Sequence, residues 1–224
     1  MCKTTFCWLI VGIVLTLSFG QTFAQDESAE DIELPMLDKN GELKWLIRAK
    51  KIESKFNLLI PGFEDEYTGY EIKDISVFIP QQVEDEKRII LIKANKALYI
   101  SEINQLEISD RVVMYMLSKV YSRKFKIDEK NLINYDMRLQ SSKLTVRWVE
   151  EVSDDAKKED EQKSTKFQTL ITTEENILMD YPLQGIDFKG KGFTFREGNP
   201  TIKIVKNIEV NYNQSLMTSK LITC

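Results

Sequence analysis

Apolar and polar residues alternate with a period of two along most of the chain. The segments Leu43–Ala49 (LKWLIRA), Tyr70–Ile79 (YEIKDISVFI), Arg88–Ala94 (RIILIKA), Asn104–Ser109 (NQLEIS), Val112–Leu117 (VVMYML), Arg123–Ile127 (RKFKI) and Met137–Val149 (MRLQSSKLTVRWV) are short and rich in Ile, Val, Leu and aromatic residues. Such segments predict strands with one apolar face, and helical i, i+3, i+4 spacing fits none of them for long. Alternation resumes in Lys166–Thr173 (KFQTLITT), Gly185–Phe195 (GIDFKGKGFTF) and Thr201–Tyr212 (TIKIVKNIEVNY). The pattern predicts an all-β fold joined by hairpins.

Turn signals separate the strands: DKNG at Asp38–Gly41, PGFEDEYTGY at Pro61–Tyr70, PQQVEDEK at Pro80–Lys87 and DEKN at Asp128–Asn131. The run Glu150–Lys166 carries both charge signs and no large apolar residue after Val152. It cannot offset its ordering entropy by burial, so it predicts a mobile surface loop at 150–166. Gly190 and Gly192 fall inside an apolar strand pattern with no helix start after them, which predicts a bulge or tight bend rather than a phosphate cradle. A bulge at Asp74 or Gly190 would exchange the faces of every residue beyond it.

One strand is written twice. Trp45-Leu46-Ile47-Arg48-Ala49-Lys50-Lys51 aligns with Ile90-Leu91-Ile92-Lys93-Ala94-Asn95-Lys96, with a weaker echo at Phe167–Thr172. A repeat holding a few strands per unit predicts stacked hairpin layers that share one interior. Alternation places Leu43, Trp45, Ile47 and Ala49 on one wall, with Ile90, Ile92 and Ala94 as their equivalents. Lys44, Arg48, Arg88 and Lys93 then face water or the rim. Pattern alone fits a filled sandwich core as well as an apolar groove.

The first 24 residues read as an export segment: MCK, an apolar run from Phe6 to Phe19, then Thr22 and Ala24 as small residues before a cleavage point at Ala24/Gln25. An uncleaved membrane anchor is the competing reading. Gln25–Glu33 is acidic and polar, which predicts a tether (25–33) ahead of a folded body at 34–215 and a tail at 216–224.

Composition then removes most chemistry. Histidine is absent from all 224 residues, which excludes the usual neutral-pH base, the usual zinc ligand and any Ser-His or Cys-His pair. Of Cys2, Cys7 and Cys224 only the last lies outside the export segment, so neither a disulfide framework nor a cysteine metal site is expected. Without residues 1–24 the basic count falls by Lys3 to 30 against 35 acidic residues, a net charge of about −5 that suits nucleic acid poorly. A carboxylate-only enzyme would need two of Glu64, Asp65, Glu66, Asp74 and Asp110 across a cleft, and nothing in their spacing pairs them.

The order of these features resembles the LptC family of lipopolysaccharide-export proteins and its soluble relative LptA. The match runs through Asp38, Gly41, Trp45, Ile47 and Ala49, then Ile92, Ala94 and Ala97, then Leu106, Ile108 and Val112. Leu170–Thr173 resembles the family's Thr-containing strand, Gly190–Phe193 its Gly-x-Gly turn, and Ile202–Val210 its closing strand pair. The resemblance implies a twisted, incompletely closed antiparallel β-jellyroll in the periplasm, with no active site and no cofactor. Its apolar interior would shelter the acyl chains of lipopolysaccharide, each shielded methylene being worth about 0.8 kcal/mol. The implied groove residues are Leu43, Trp45, Ile47, Ala49, Ile90, Ile92, Ala94, Leu106 and Ile108. Lys44, Arg48, Lys50 and Lys93 could meet lipid A phosphates there, the alternative being that they are only the wet face of a strand. The implied partners are lipopolysaccharide itself, the inner-membrane export transporter and an LptA-like protein that adds a strand at an open edge, with Ile202, Ile204, Ile208 and Val210 as the candidate edge. The alternative is a non-enzymatic envelope scaffold with a filled β core.

Overall fold

Long strands carry the alternation. A computed structural model describes residues 29–38, 40–59, 66–83, 86–118, 135–151, 166–212, 215–219 and 222–223. In chain order the strands are β1 (Ala29–Leu37), β2 (Leu43–Leu59), β3 (Glu66–Val83), β4 (Glu86–Ile100), β5 (Gln105–Leu117), β6 (Met137–Glu151), β7 (Lys166–Tyr181), β8 (Ile186–Arg196), β9 (Asn199–Tyr212), β10 (Ser215–Ser219) and β11 (Ile222–Thr223). Each of the first ten pairs antiparallel with its sequence neighbour, and β11 returns to pair with β9. The result is one all-β antiparallel sheet of eleven strands, twisted, jellyroll-like and not closed into a barrel.

Strands of 15 to 18 residues, as in β2, β3, β4, β6 and β7, are about three times the usual length. They stay packed because they bend. Register shifts fall near the middle of neighbouring strands: between Ile52 and Ser54 in β2, Lys93 and Lys96 in β4, Ser109 and Val112 in β5, Ser141 and Thr145 in β6, and Thr173 and Asn176 in β7. Asp74, Asp110, Arg111, Gly192 and Asn207 take positive φ along the same line. These shifts form a crease across the sheet, each bulge adding a local bend and twist.

The crease also resets the faces. On β3 Ile72 and Ile75 are both buried although three positions apart, with exposed Lys73 and Asp74 between them. On β9 exposed Val205, Lys206 and Asn207 separate buried Ile204 from buried Ile208, four positions on, so there the inward face is interrupted but not exchanged. Both halves of each strand thereby keep an apolar side inward. Asp, Asn and Gly are the residue types that enter the left-handed region at least cost, and they fill four of the five positive-φ positions named on the crease.

The sheet folds over so that β2 packs across the core on β6 and β7. Trp45 on β2 packs on Trp148 of β6 with ring centroids 6.0 Å apart, and its indole Nε1–H donates to Thr169 Oγ1 of β7 at 3.0 Å. One apolar core runs from Trp45 and Ile47 through Ile75, Ile92, Ile108, Leu144 and Ile171 to Phe193 and Ile204. Among the described strands, β1, β10 and the short β11 have a hydrogen-bonded neighbour on one side only.

Several expected boundaries move. Residues 29–33 belong to β1 rather than to a tether, because Ala29, Glu30, Ile32 and Glu33 pair with Ile52, Lys51, Ala49 and Arg48. Residues 216–219 and 222–223 are not a tail but β10 and β11, held on β9. Strands also extend into two expected turns, since β3 starts at Glu66 and runs to Val83 while β4 starts at Glu86. The expected hairpin layers take the form of successive hairpins of one continuous sheet. The export segment 1–24, RKFKI and most of the charged run 150–166 lie outside the described residues.

The DKNG turn forms as its residues require. Asp38 Oδ1 accepts from the backbone N–H of Asn40 and of Glu42, both at 2.9 Å, and Gly41 takes φ +79°. The Glu42 amide, with Lys44 nearby, holds the Asp38 carboxyl below its ordinary value; Glu53 is held low by Lys73 and then Lys51. Carboxylates depressed in the folded state stabilise it above their unfolded pKa, and that contribution is lost as pH falls through the folded value. The melting temperature should therefore fall below about pH 4. Asp38→Asn, measured over the same pH series, should flatten part of that fall.

Candidate functional site

The repeated strand has a simple place in the sheet. Ile47 on β2 and Ile92 on β4 are both paired with Val77 of β3, and Ala49 and Ala94 are both paired with Ile75. The two copies flank one strand in the same row, so each inward residue meets its equivalent two strands away. Ile92 continues the row to Met114 of β5, and Leu106 and Ile108 pair with Tyr99 and Ala97 of β4.

Of the nine expected groove residues, Trp45, Ile47, Ala49, Ile90, Ile92, Ala94, Leu106 and Ile108 join the one core. Six of the eight have no exposed surface, and the most open, Ala94, is 8% exposed. Leu43 does not join them. The pairing shifts between Met36↔Trp45 and Leu37↔Leu43, and Leu43 packs against the second apolar cluster of Leu46, Phe78, Ile89, Leu91 and Leu117. That cluster lies on the opposite face of β2–β5, since Leu46, Phe78 and Leu91 form one cross-strand row beside the Ile47–Val77–Ile92 row. An irregularity of one residue at Lys44 moved Leu43 across the sheet.

The expected partner edge is not an edge. Ile202, Ile204, Ile208 and Val210 lie on β9, which is paired with β8 on one side and with β10 and β11 on the other. All four side chains are buried in the core. The chain continues past Tyr212 and doubles back, which the alternation of β9 does not signal. The one-sided strands among those described are β1, β10 and the two-residue β11. On β1 half-buried Leu34 and Met36 pack against the core at the open side of the curl.

The basic residues expected beside the groove lie on the outer surface, where Lys44, Arg48 and Lys50 are engaged by carboxylates. Arg48 Nε donates to Glu33 Oε1 at 2.7 Å, and its guanidinium lies 4.9 Å from the Phe78 ring centroid. Lys44 approaches Asp38 and Glu42, each at 3.7 Å, and Lys50 approaches Asp74 at 4.0 Å. Lys93 sits between buried Ile92 and Ala94 and so points outward. Asp110 accepts from Asn95 Nδ2 at 3.2 Å on the crease. Glu64 and Asp65 lie outside the described residues. Among the described residues no group of three or more Asp, Glu, Cys or His side chains could hold a metal ion.

A second feature has no counterpart in the sequence reading. On the outer side of the crease, β6 to β9 enclose a concave surface of about 820 Å³. Lys143, Arg147, Lys191 and Lys206 line it with Thr145, Thr172 and Thr194, and Glu174 and Glu175 share the lining. These side chains come from four strands and more than 60 positions of chain. Their only sequence signal is the polar half of the alternation, which every exposed strand face gives.

A smaller concavity across the crease is lined by Glu53, Glu71, Lys73, Lys96, Glu107 and Lys143. There Glu53 bridges Lys51 at 3.0 Å and also Lys73, and Glu107 Oε2 accepts from Lys143 at 2.7 Å. The charges of this second surface are largely matched within the protein.

No protein-family model matches the sequence, and no curated protein is significantly similar to it.

Proposed function

We propose that this chain is a non-enzymatic component of lipopolysaccharide transport, working in the periplasm between an inner-membrane transporter and an LptA-like bridge. The observation that carries the reading is an apolar core continuous from β2 to β9 inside a curled sheet that does not close. An unclosed curl can part along one side without breaking its strand ladders, and acyl chains entering there would exchange water for Ile, Leu and Phe side chains at about 0.8 kcal/mol per methylene. The LptA-like partner would dock by strand addition at β1 or β10, whose backbone groups on one side have no neighbour among the described strands.

A specific observation favours a second reading, an envelope scaffold with a filled core. Eight of the nine groove candidates are covered by their own neighbours. A carrier must open before it can load; a scaffold need not.

Photo-crosslinking in cells separates the two. A photoreactive residue at Ile47 or Ile92, and at half-buried Leu34 or Met36 on the open side, should capture lipopolysaccharide. Capture only from outward Lys44 and Lys93 overturns the carrier reading. A chain that labels from none of these positions while remaining folded supports the scaffold.

A further inference from the structure

Cross-strand register sets three lysine pairs directly opposite each other, and the protein treats them differently. Lys51 of β2 faces Lys73 of β3, which in turn faces Lys96 of β4, and Glu53 bridges the ammonium groups of Lys51 and Lys73. Lys191 of β8 faces Lys206 of β9, and among the described residues neither has an ion pair. Like charges opposite each other destabilise a sheet unless an anion lies between them. The first pair has its carboxylate built in.

The Lys191–Lys206 pair sits on the rim of the concave surface over β6–β9. Arg147 stands on the same surface, exposed between buried Val146 and half-buried Trp148, and it too has no ion pair among the described residues. Glu174 and Glu175 line the concavity yet form no ion pair with Lys191, Lys206 or Arg147. Thr145, Thr172 and Thr194 form one cross-strand row between the cations. Their hydroxyls can each donate and accept a hydrogen bond. The volume of about 820 Å³ is that of a small-molecule site.

We propose that this surface binds a phosphorylated saccharide, the phosphate held by Lys191, Lys206 and Arg147 and the sugar hydroxyls by the threonine row. Charge-assisted bonds from two ammonium groups and a guanidinium suit a phosphate. A row of neutral donor-acceptor groups suits a polyol. Single-stranded nucleic acid fits less well, because Phe193 is the only aromatic residue of the lining and it is buried, leaving no ring for a base to stack on. The site is on the outer face, so it does not depend on whether the interior carries lipid.

The test is titration of the full chain with glucose 6-phosphate, inorganic phosphate and glucose, read by calorimetry or by nuclear magnetic resonance shifts. Glucose 6-phosphate should bind more tightly than either part alone. The triple variant Arg147→Glu, Lys191→Glu, Lys206→Glu should weaken it about tenfold or more. Lys96→Glu, a charge reversal on the other concavity, should leave it unchanged. The reversed residues are exposed, so circular dichroism should match the parent chain. Detergent-dispersed lipopolysaccharide, added as a competitor, distinguishes a glycolipid headgroup from a free sugar phosphate as the natural source. Equal affinity for inorganic phosphate overturns the saccharide assignment. Absence of binding, or equal weakening by Lys96→Glu, overturns the site, whatever crosslinking from Ile47 shows.

Discussion

Replacing Trp45 by alanine should lower the unfolding free energy by about 3–5 kcal/mol, the largest effect of any single truncation considered. Trp45 has no exposed surface, packs on Trp148 and ties β2 to β7 through its bond to Thr169. Truncation removes that contact between strands far apart in the sheet and leaves a void that the surrounding ladders cannot fill. Thr169→Val separates the two contributions, because it keeps the packing and leaves the indole N–H buried without its acceptor, at a cost of about 1–3 kcal/mol. Denaturation midpoints of both variants, set beside Leu183→Ala at an exposed turn, provide the measurement. A Trp45→Ala midpoint equal to that of Leu183→Ala would show that β2 does not pack across the core on β6 and β7.

Gly190→Ala should cost about 1–3 kcal/mol even though alanine is small and favours no particular fold. A Cβ at position 190 would lie 2.7 Å from Ile204 Cγ2, a fully buried side chain on the neighbouring strand. Something must shift, and the core leaves little room. Combining Gly190→Ala with Ile204→Ala should cost less than the sum of the two single changes, because the second removes the atom that the first strikes. Gly192 and Gly41 offer a matched comparison, with φ of +78° and +79°. Alanine at Gly41 meets nothing within 4 Å, whereas at Gly192 it meets Val205 Cβ at 3.1 Å. The difference between those two variants reads the packing contribution alone, free of backbone strain common to both. Equal costs at the two positions would contradict the close approach of β8 and β9 at the crease.

These glycines show how far the pattern of residues could be followed. Gly190 and Gly192 in an apolar strand already predict a bend, and β8 shifts register against β9 between Lys189 and Lys191. Asp74 breaks the alternation of β3 with a positive φ, while the register holds across it and the shift falls on β2 between Ile52 and Ser54. The repeat was visible as well, and Ile47 and Ile92 do share a row. What misled was the ends. Leu43 crossed to the other face through one irregular residue, acidic residues 29–33 joined a strand, and β9 acquired neighbours from chain that follows it. In each case the local pattern was ordinary and a distant segment decided the outcome.

Taken alone, the order of residues determined the all-β class, most strand positions, the inward set around Ile47 and Ile92 and the absence of histidine chemistry, because alternation and composition are local properties. Only the tertiary structure decided that the strands bend along one crease and curl until Trp45 meets Trp148. It alone brought Arg147, Lys191 and Lys206 to one concave face and set Lys191 against Lys206 with no bridging carboxylate among the described residues. Register and curvature are settled by which strands lie side by side. A period of two gives each residue a face but not a neighbour.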